Sequence, residues 1–239
     1  MNEYSTNWDK LENNKNYLEF VDIVLQDRKT LLNILKSFFL KFIVNDNKKR
    51  ILDLGTGDGI LVKNLYSIDQ NIEFVVTDGS QDMLDKAKEN LKGINNIKYI
   101  HITFEEIIEN RFKENFFDFI VSSFAIHHLL LDQKRALFKC LFNLINPGGY
   151  FINIDTVTNN DIKYTKWYLD LWKEWIERFQ KENNTNTKCE DIPHKAPEKP
   201  ENHYDPLDKQ LQFLKEAGFT EVNCHYKYGL YAIYGGLKK

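Results

Sequence analysis

The stretch that most constrains the fold runs from Lys49 to Gly59 and reads KRILDLGTGDG. Its apolar part, 51–54, predicts a short buried strand, and glycines alternate directly after it at 55, 57 and 59. Because glycine has no Cβ, it adopts positive φ easily and lets a ligand approach the backbone closely. A plain connection from strand to helix needs one glycine, so three predict a ligand-binding turn that leads into a helix.

The spacing of this turn excludes the two common phosphate-binding loops. The dinucleotide fingerprint requires glycine or alanine where Ile60 stands. A P-loop requires Gly-Lys followed by Ser or Thr, which is absent here. Asp58 also lies at the predicted helix start, where its charge would repel a pyrophosphate. The sequence therefore predicts a nucleoside ligand without phosphates.

Composition restricts the class of protein. A chain of 239 residues with 42% hydrophobic content is expected to form one domain, 1–239. Its formal net charge of −3 makes nucleic acid an unlikely partner and gives no attraction to an anionic membrane. Cysteines at 140, 189 and 224 show no C-x-x-C spacing, and we find neither a secretory signal nor a membrane-spanning apolar run. These features predict a cytoplasmic protein. We expect a monomer or homodimer, and the sequence does not specify which.

Apolar periodicity between residues 50 and 155 alternates between strand and helix, which predicts a doubly wound parallel sheet. The predicted strands lie near 50–54, 72–77, 97–102, 117–122 and 149–154. The predicted helices lie near 58–66, 80–92 and 132–145, with a shorter helix or turn at 104–110. Before them, residues 17–44 have helical apolar spacing and predict one or two helices over the mouth of the glycine turn.

The C-terminal part predicts a long helix, a loop and a hairpin. Residues 158–180 carry an aromatic stripe at helical spacing, and 181–206 hold four of the five prolines, which predicts an irregular surface loop. Residues 207–217 predict a helix closed by Gly218. The remaining apolar segments, 219–227 and 229–235, predict the last two strands.

Five motifs occur in the order found in one enzyme family. After the acid-x-G-x-G-x-G turn that begins at Asp53 come VVTDGSQDML (75–84), FFDFIVSSFAIHHL (116–129), LINPGGYFINID (144–155) and LKEAGFTEV (214–222). Together they resemble the class I S-adenosylmethionine-dependent methyltransferases over roughly residues 48–235. The resemblance implies an α/β fold with a mostly parallel seven-stranded sheet of order 3-2-1-4-5-7-6, strand seven antiparallel, and helices on both faces. It also implies S-adenosylmethionine as cofactor and S-adenosylhomocysteine as product.

The resemblance assigns cofactor-binding positions to the carboxyl ends of the strands. Asp53 is expected near the methionyl ammonium, and the turn residues Gly55, Thr56 and Gly57 are expected along the cofactor. For Gly59 two roles remain open, ligand binding and helix packing.

Asp78, beside Gly79, is expected to bind both ribose hydroxyls, since a carboxylate accepts two charge-assisted hydrogen bonds. A capping role for Asp78 remains an alternative, although Ser80 is the better cap. We expect loss of Asp78 to weaken cofactor binding and hardly change folding. Met83 is expected against adenine or in the core.

The adenine end departs from the family pattern, because Thr103 stands where many members carry an aspartate. Thr103 and the amide of Phe104 remain the predicted adenine contacts. Ser122, after strand four, is a further predicted cofactor contact. His127 and His128 are candidate catalytic bases over the transferred methyl group, with a structural role as the alternative. We predict no metal site, because no His/Cys cluster has zinc spacing.

The predicted methyl acceptor is a small molecule, whose identity the sequence does not specify. We expect it to be enclosed by an N-terminal helical cap (1–47) and by a lid formed from the aromatic helix and loop (158–206). Its candidate contacts are Tyr17, Arg28, Trp167 and Trp172. Two alternatives remain open: an RNA-modifying methyltransferase, which would ordinarily have a basic stripe, and a non-catalytic S-adenosylmethionine-binding protein.

Overall fold

The computed structural model describes residues 24–25, 27–114, 116–184, 189 and 191–239. Its centre is one seven-stranded sheet of order β3-β2-β1-β4-β5-β7-β6. Only β7 runs antiparallel to its neighbours, β5 and β6. The strands are β1 Lys49–Leu54, β2 Ile72–Asp78, β3 Ile97–His101, β4 Phe117–Ser123, β5 Ile145–Thr156, β6 Thr220–Tyr228 and β7 Tyr231–Leu237. The predicted fold class, strand order and antiparallel strand are confirmed.

Eight α-helices surround the sheet in the part of the chain that is described. They are α1 Arg28–Phe42, α2 Ile60–Tyr66, α3 Gln81–Asn90, α4 Phe104–Ile108, α5 Leu131–Leu144, α6 Ile162–Asn183, α7 Ile192–Lys195 and α8 Leu207–Ala217. Short 3₁₀ turns lie at Ile126–His128 and Ala196–Glu198. Gly218 ends α8 in the left-handed conformation, as predicted. Within the described ranges, we find no helix long and apolar enough to cross a lipid bilayer.

Alternating side chains of the central strands build a core on each face of the sheet. Ile51 points into the core under α1, α2 and α3, whereas Leu52 points into the core under α4, α5 and α8. Because both faces are covered, the inner strands are apolar throughout rather than alternating. The sheet order reverses between β1 and β4, where Leu54 pairs with Ser122. In doubly wound sheets, a crevice for ligands opens at this switch point.

The loop predicted at 181–206 is partly wrong. Helix α6 continues to Asn183, and α7 and a 3₁₀ turn follow within the segment. Prolines stand in the first turn of both short elements, where a missing N–H costs no intrahelical hydrogen bond. The proline-rich composition therefore marked helix starts as well as irregular chain.

Two further boundaries differ from the sequence prediction. Strand β5 begins at Ile145, and the Pro-Gly-Gly sequence after it forms an irregularity in the pairing with β4 rather than a turn before the strand. In the predicted N-terminal cap, α1 is helical as expected, while Tyr17 and the rest of 1–23 lie outside the described residues.

Candidate active site

The glycine turn lies at the switch point, with positive φ at all three glycines. A Cβ on Gly55 would stand 2.5 Å from the Cβ of Ala125, so this position accepts no larger residue. A Cβ on Gly59 would stand 2.8 Å from a side-chain carbon of Leu91. Gly59 therefore serves the packing of the turn against α3, and Gly55 keeps the cleft open beside the 3₁₀ turn.

A cleft opens above the turn, at the carboxyl ends of the parallel strands. Most of the predicted cofactor residues line it: Asp53, Gly55, Thr56, Gly57, Asp78, Gly79, Met83, Thr103 and Phe104. Asp58 lines it too. Sequence reasoning did not assign a ligand role to several other lining residues, among them Leu25, Leu31, Leu32, Glu105, Ser123, Phe124, Ala125 and Leu129.

Asp53 is a buried carboxylate with one unpaired oxygen. Its Oδ2 accepts the hydroxyl of Thr56 at 2.7 Å, whereas Oδ1 has no hydrogen-bond partner in the part of the chain that the structure describes. Burial raises the pKa of Asp53 to about 7. An unpaired buried carboxylate oxygen is costly without a partner, and a ligand ammonium would supply one. The site therefore fits a cationic group at this point, as the methionyl ammonium would provide.

Asp78 joins the second strand to the glycine turn. Its Oδ2 accepts the backbone N–H of Gly57 at 2.9 Å, and its Oδ1 accepts that of Ser80 at 2.9 Å. Ser80 is the N-cap residue of α3, with its side chain accepting from Met83, so Asp78 is not the cap. Asp78 also holds two backbone amides, so we now expect its loss to affect folding as well as cofactor binding.

At the predicted adenine end, Thr103 is the N-cap residue of α4. Its hydroxyl accepts the N–H of Glu106, and the Glu106 carboxylate accepts the N–H of Thr103 in return. This capping box explains why a threonine suits the end of β3 here. Phe104 and Met83 supply apolar surface to the same end of the cleft, and Glu105 adds a carboxylate.

The residues after β4 divide between the core and the cleft. Ser122 is fully buried, and its hydroxyl donates to the carbonyl of Leu54 at 2.8 Å, so Ser123 rather than Ser122 lines the cleft. Phe124 follows with φ of 51°, a left-handed conformation that is uncommon for an aromatic residue. Its N–H donates to the carbonyl of Ile154 at 2.8 Å, which holds this strained residue in place.

The paired histidines have different environments. His127 is buried, with Nδ1 2.6 Å from Oδ1 of Asp155, and it does not line the cleft. Burial alone would raise the pKa of Asp155, but interactions with His127, together with the charge of Lys134 and the Thr156 amide, outweigh it and hold that pKa below its usual range. Asn153 and the Thr156 amide also donate to Asp155. His127 therefore belongs to a buried polar network.

His128 lines the cleft. Its Nδ1 lies 2.9 Å from the carbonyl oxygen of Glu201. Since a carbonyl only accepts, Nδ1 carries the proton and Nε2 is the unprotonated nitrogen. Burial, reinforced by neighbouring His127, lowers the pKa of His128 to about 3. His128 is thus a neutral imidazole at physiological pH, which makes it a hydrogen-bond acceptor and a weak base.

The far end of the cleft is formed by the start of α1. Leu25, Leu31 and Leu32 give it apolar walls, and Arg28 lines it among them. Neither Trp167 nor Trp172 lines the cleft. Helix α6 turns Trp172 into the core and leaves Trp167 at 55% exposure on the outer surface. Among the described residues, no group of three His, Cys, Asp or Glu side chains is arranged to hold a metal ion.

Comparison with known proteins agrees with this geometry. Residues 51–149, from β1 into β5, match the model of a family described as a methyltransferase domain. Residues 51–149 are thus similar to a methyltransferase domain, in the seven-stranded fold of the class I S-adenosylmethionine-dependent enzymes. The cofactor is S-adenosylmethionine, and the unpaired oxygen of Asp53 and the open backbone at Gly55 fit that cofactor.

Two curated relatives match most of the chain. The carboxy-S-adenosyl-L-methionine synthase of Trichodesmium erythraeum is 26% identical over 178 residues, 73% of this chain and 67% of the relative. The ubiquinone/menaquinone biosynthesis C-methyltransferase of Rickettsia bellii is 26% identical over 229 residues, 89% and 88% of the two chains.

Solved structures support the fold. PigF with S-adenosylhomocysteine superposes with a TM-score of 0.63 at 14% identity, over 97% of this chain and 60% of PigF. The apo form of the methyltransferase SibL gives 0.57 at 14% identity, over 88% of this chain and 56% of SibL. The chain therefore spans less than two thirds of either structure.

Proposed function

We propose that this methyltransferase transfers the methyl group to a small-molecule acceptor bound in the apolar end of the cleft. The observation that carries the proposal is the continuity of one cleft. It runs from Met83 and Thr103, past Asp53, to Leu25, Leu31 and Leu32. Small-molecule sites are concave and mostly apolar, with a few polar groups that fix orientation, and this end of the cleft has that character. The names of the two curated relatives describe small-molecule chemistry.

When bound, S-adenosylmethionine supplies a methyl group on a sulfonium, which is activated for displacement. The contribution of the protein is alignment of the reacting atoms and exclusion of water. In our proposal Asp53 holds the ammonium, Asp78 holds the ribose, and Met83 packs on the adenine. The apolar residues at the start of α1 then cover the methyl acceptor.

We propose different roles for the two histidines. His128 lines the cleft as a neutral ring, so it would contact the methyl acceptor and orient it. Its pKa near 3 makes it a poor proton store, which favours orientation over general base catalysis. His127 would act as a positioning residue, since it pairs with Asp155 away from the cleft.

In our proposal, the segments that were predicted to cover the cleft have different roles. Leu25, Arg28, Leu31 and Leu32 line the cleft directly. The segment that contains Glu201 and His203 holds the two histidines in place by hydrogen bonds. The carbonyl of Glu201 accepts from His128, and the N–H of His203 donates to the carbonyl of His127. The aromatic helix α6 supports the start of α1 rather than contacting the methyl acceptor.

Two measurements test this function. Calorimetric titration should show binding of S-adenosylmethionine and S-adenosylhomocysteine, with NAD as the control that does not bind. A screen of small apolar nucleophiles, read by formation of S-adenosylhomocysteine, should then find a methylated product. Turnover with a transfer RNA transcript, and with no small molecule in the screen, would instead identify an RNA-modifying enzyme.

A second candidate function follows from the names of the relatives. Several of them, at 21–28% identity, are carboxy-S-adenosyl-L-methionine synthases. The name implies a product that is a carboxylated form of the cofactor. Mass spectrometry of the nucleoside released from purified protein distinguishes the two functions, because the carboxylated cofactor is heavier than S-adenosylmethionine. Recovery of the heavier compound would replace methyl transfer as the proposed function.

A further inference from the structure

A second pocket lies beside the cofactor cleft, next to the 3₁₀ turn that carries the paired histidines. It has a volume of about 430 Å³ and lies between the start of α5, the first half of α6 and residues 202–205. Of the described residues, none lines both pockets, although Leu129 lines the cleft and the next residue, Leu130, lines the second pocket. Pockets that bind small molecules have volumes from about 300 Å³ upward, so the second pocket is large enough for one.

The walls of the second pocket are mainly apolar. Leu131 at the start of α5 and Leu169 on α6 line two sides, and the buried Leu230 lies in the connection between β6 and β7. Tyr204 adds an aromatic ring, which packs edge to face against His127 with the ring centroids 5.4 Å apart. An uncharged carbon skeleton, and above all an aromatic ring, is therefore suited to these walls.

The polar side of the pocket centres on one carboxylate. Asp205 supplies the only carboxylate among the described residues that line it, and none of these residues is a lysine or arginine. Its Oδ2 accepts the ammonium of the fully buried Lys134, whereas its Oδ1 makes no hydrogen bond to a described residue. Because Lys134 already balances the charge of Asp205, a second cation gains little at Oδ1. A neutral hydroxyl, by contrast, donates to Oδ1 without adding charge.

Asp205 is held in place by contacts from three parts of the chain. Its carbonyl accepts the backbone N–H of Thr158 at 3.0 Å and the side-chain amide of Gln210 at 3.3 Å. The hydroxyl of Thr158 donates to the carbonyl of Tyr204 at 3.2 Å, and Lys134 fixes the carboxylate itself. The pocket is therefore preformed on its polar side, which lowers the entropic cost of ordering it around a ligand.

We propose that the second pocket binds an uncharged aromatic small molecule that carries a hydroxyl group, and that Asp205 accepts this hydroxyl. The ligand is separate from the methyl acceptor, which belongs to the cleft, so the proposal does not depend on the proposed function. A buried ion pair gains little net stability, because desolvation of both charges offsets their attraction. The pair of Lys134 and Asp205 has a further role here, since it holds a free carboxylate oxygen at the wall of an apolar pocket.

Three probes of equal shape test the chemistry on the complex with S-adenosylhomocysteine. They are 4-ethylphenol, 4-ethylanisole, which lacks the hydroxyl proton, and 4-ethylbenzylamine, which is a cation at neutral pH. Ligand-observed NMR measures their dissociation constants. We expect 4-ethylphenol to bind about 10- to 100-fold more tightly than 4-ethylanisole, because only the phenol donates to the carboxylate. The cation should bind no better than the phenol.

Four variants locate the site. Leu169→Trp fills the second pocket and should abolish binding of 4-ethylphenol, whereas Lys166→Trp places the same side chain at an exposed position of α6. Leu32→Trp narrows the apolar end of the cleft instead and should leave 4-ethylphenol binding unchanged. Asp205→Asn keeps the shape of the pocket and should remove most of the preference for 4-ethylphenol over 4-ethylanisole. Affinity for S-adenosylhomocysteine shows which variants remain folded, and either pocket variant suffices for the test.

Three results would overturn the proposal. The first is that the wild type does not bind 4-ethylphenol, or binds 4-ethylanisole equally well. The second is that Leu169→Trp binds the phenol as Lys166→Trp does. The third is that Leu32→Trp alone loses the phenol, because the probe would then occupy the cleft. All these readouts are binding, so a failure to find methyl transfer would contradict the proposed function and leave this proposal standing.

Discussion

The carboxylate of Asp78 accepts the backbone N–H of Gly57 at 2.9 Å. This contact joins the end of β2 to the middle of the glycine turn, two strand ends that approach each other because β1 and β2 are parallel neighbours. The residue expected to hold the ribose therefore also shapes the turn that receives the cofactor. Binding and local folding are coupled through one side chain.

Replacing Asp78 with alanine should weaken both properties. We expect cofactor affinity to fall about 30- to 1000-fold, from the loss of two charge-assisted hydrogen bonds to ribose. We also expect a loss of about 1–3 kcal/mol in the free energy of unfolding, because the Gly57 and Ser80 amides lose their acceptor. Calorimetry and urea denaturation measure the two, with Asp85→Ala as the exposed control. An unchanged unfolding free energy would mean that water replaces Asp78 at both amides.

Asp53 and His128 should give opposite pH dependences to the stability of the cofactor-free protein. The pKa of Asp53 is raised to about 7, so the folded state binds the extra proton between about pH 4 and 7. Stability from this group therefore rises as the pH falls through that window. The pKa of His128 is lowered to about 3, so the unfolded state binds the extra proton between about pH 3 and 6.5. Stability from this group falls with the pH.

Single variants should separate these two contributions. Asp53→Asn removes the group whose contribution to stability rises as the pH falls. When the pH is lowered from 6.5 to 4.5, the unfolding free energy of this variant should therefore drop more steeply than that of the wild type. His128→Gln should show the reverse, with each difference approaching about 1.4 kcal/mol per pH unit. Urea denaturation in a pH series measures both slopes. Parallel curves for all three proteins would contradict the assigned pKa directions.

Cofactor binding should depend on the ionisation of Asp53. If Asp53 pairs with the methionyl ammonium, it must be charged in the complex, so affinity should rise with pH until about pH 7 and then level off. Titrations of S-adenosylhomocysteine between pH 5.5 and 8 check this, with 5′-methylthioadenosine as a control that lacks the ammonium. A similar pH dependence for both compounds would place the ammonium elsewhere.

The buried pair of His127 and Asp155 should matter for stability and not for cofactor affinity. His127→Ala leaves the Asp155 carboxylate buried without its main partner, which should cost about 3–5 kcal/mol of unfolding free energy. His127→Asn keeps an N–H near the position of Nδ1 and should recover part of that loss. Denaturation measures this effect, and calorimetry should show little change in cofactor affinity. A large change in affinity with normal stability would make His127 a ligand-binding residue.

Lys134 holds in place the segment 199–206, which hydrogen-bonds to both histidines. Its ammonium is fully buried and donates to the carbonyl of His203 and to the carboxylate of Asp205. Lys134→Met should therefore release residues 199–206 and cost about 3–5 kcal/mol. Trypsin cleavage after Lys195, which lies just before this segment, should become faster than in the wild type. Lys139→Met, at an exposed position of the same helix, is the matched control. Unchanged cleavage would mean that other contacts hold the segment.

The sequence by itself determined the features that depend on neighbouring residues. Apolar periodicity that changed from strand to helix and back predicted the parallel sheet, and the glycine spacing predicted a ligand turn free of phosphate contacts. The helix boundaries at Ser80 and Gly218 followed from capping chemistry, which acts within four residues of the helix end. The motif order led to the sheet order, which is confirmed.

Only the tertiary structure decided which side chains face the cleft. Trp172 and Val24 are 148 positions apart, and Lys134 and Asp205 are 71 apart, so no local pattern reveals these contacts. The adjacent histidines looked equivalent in sequence, yet one pairs with Asp155 in the core and the other lines the cleft. Burial, which sets the pKa of Asp53 and His128, depends on everything packed around a group. Such properties belong to the assembled fold, because segments far apart in the chain create them together.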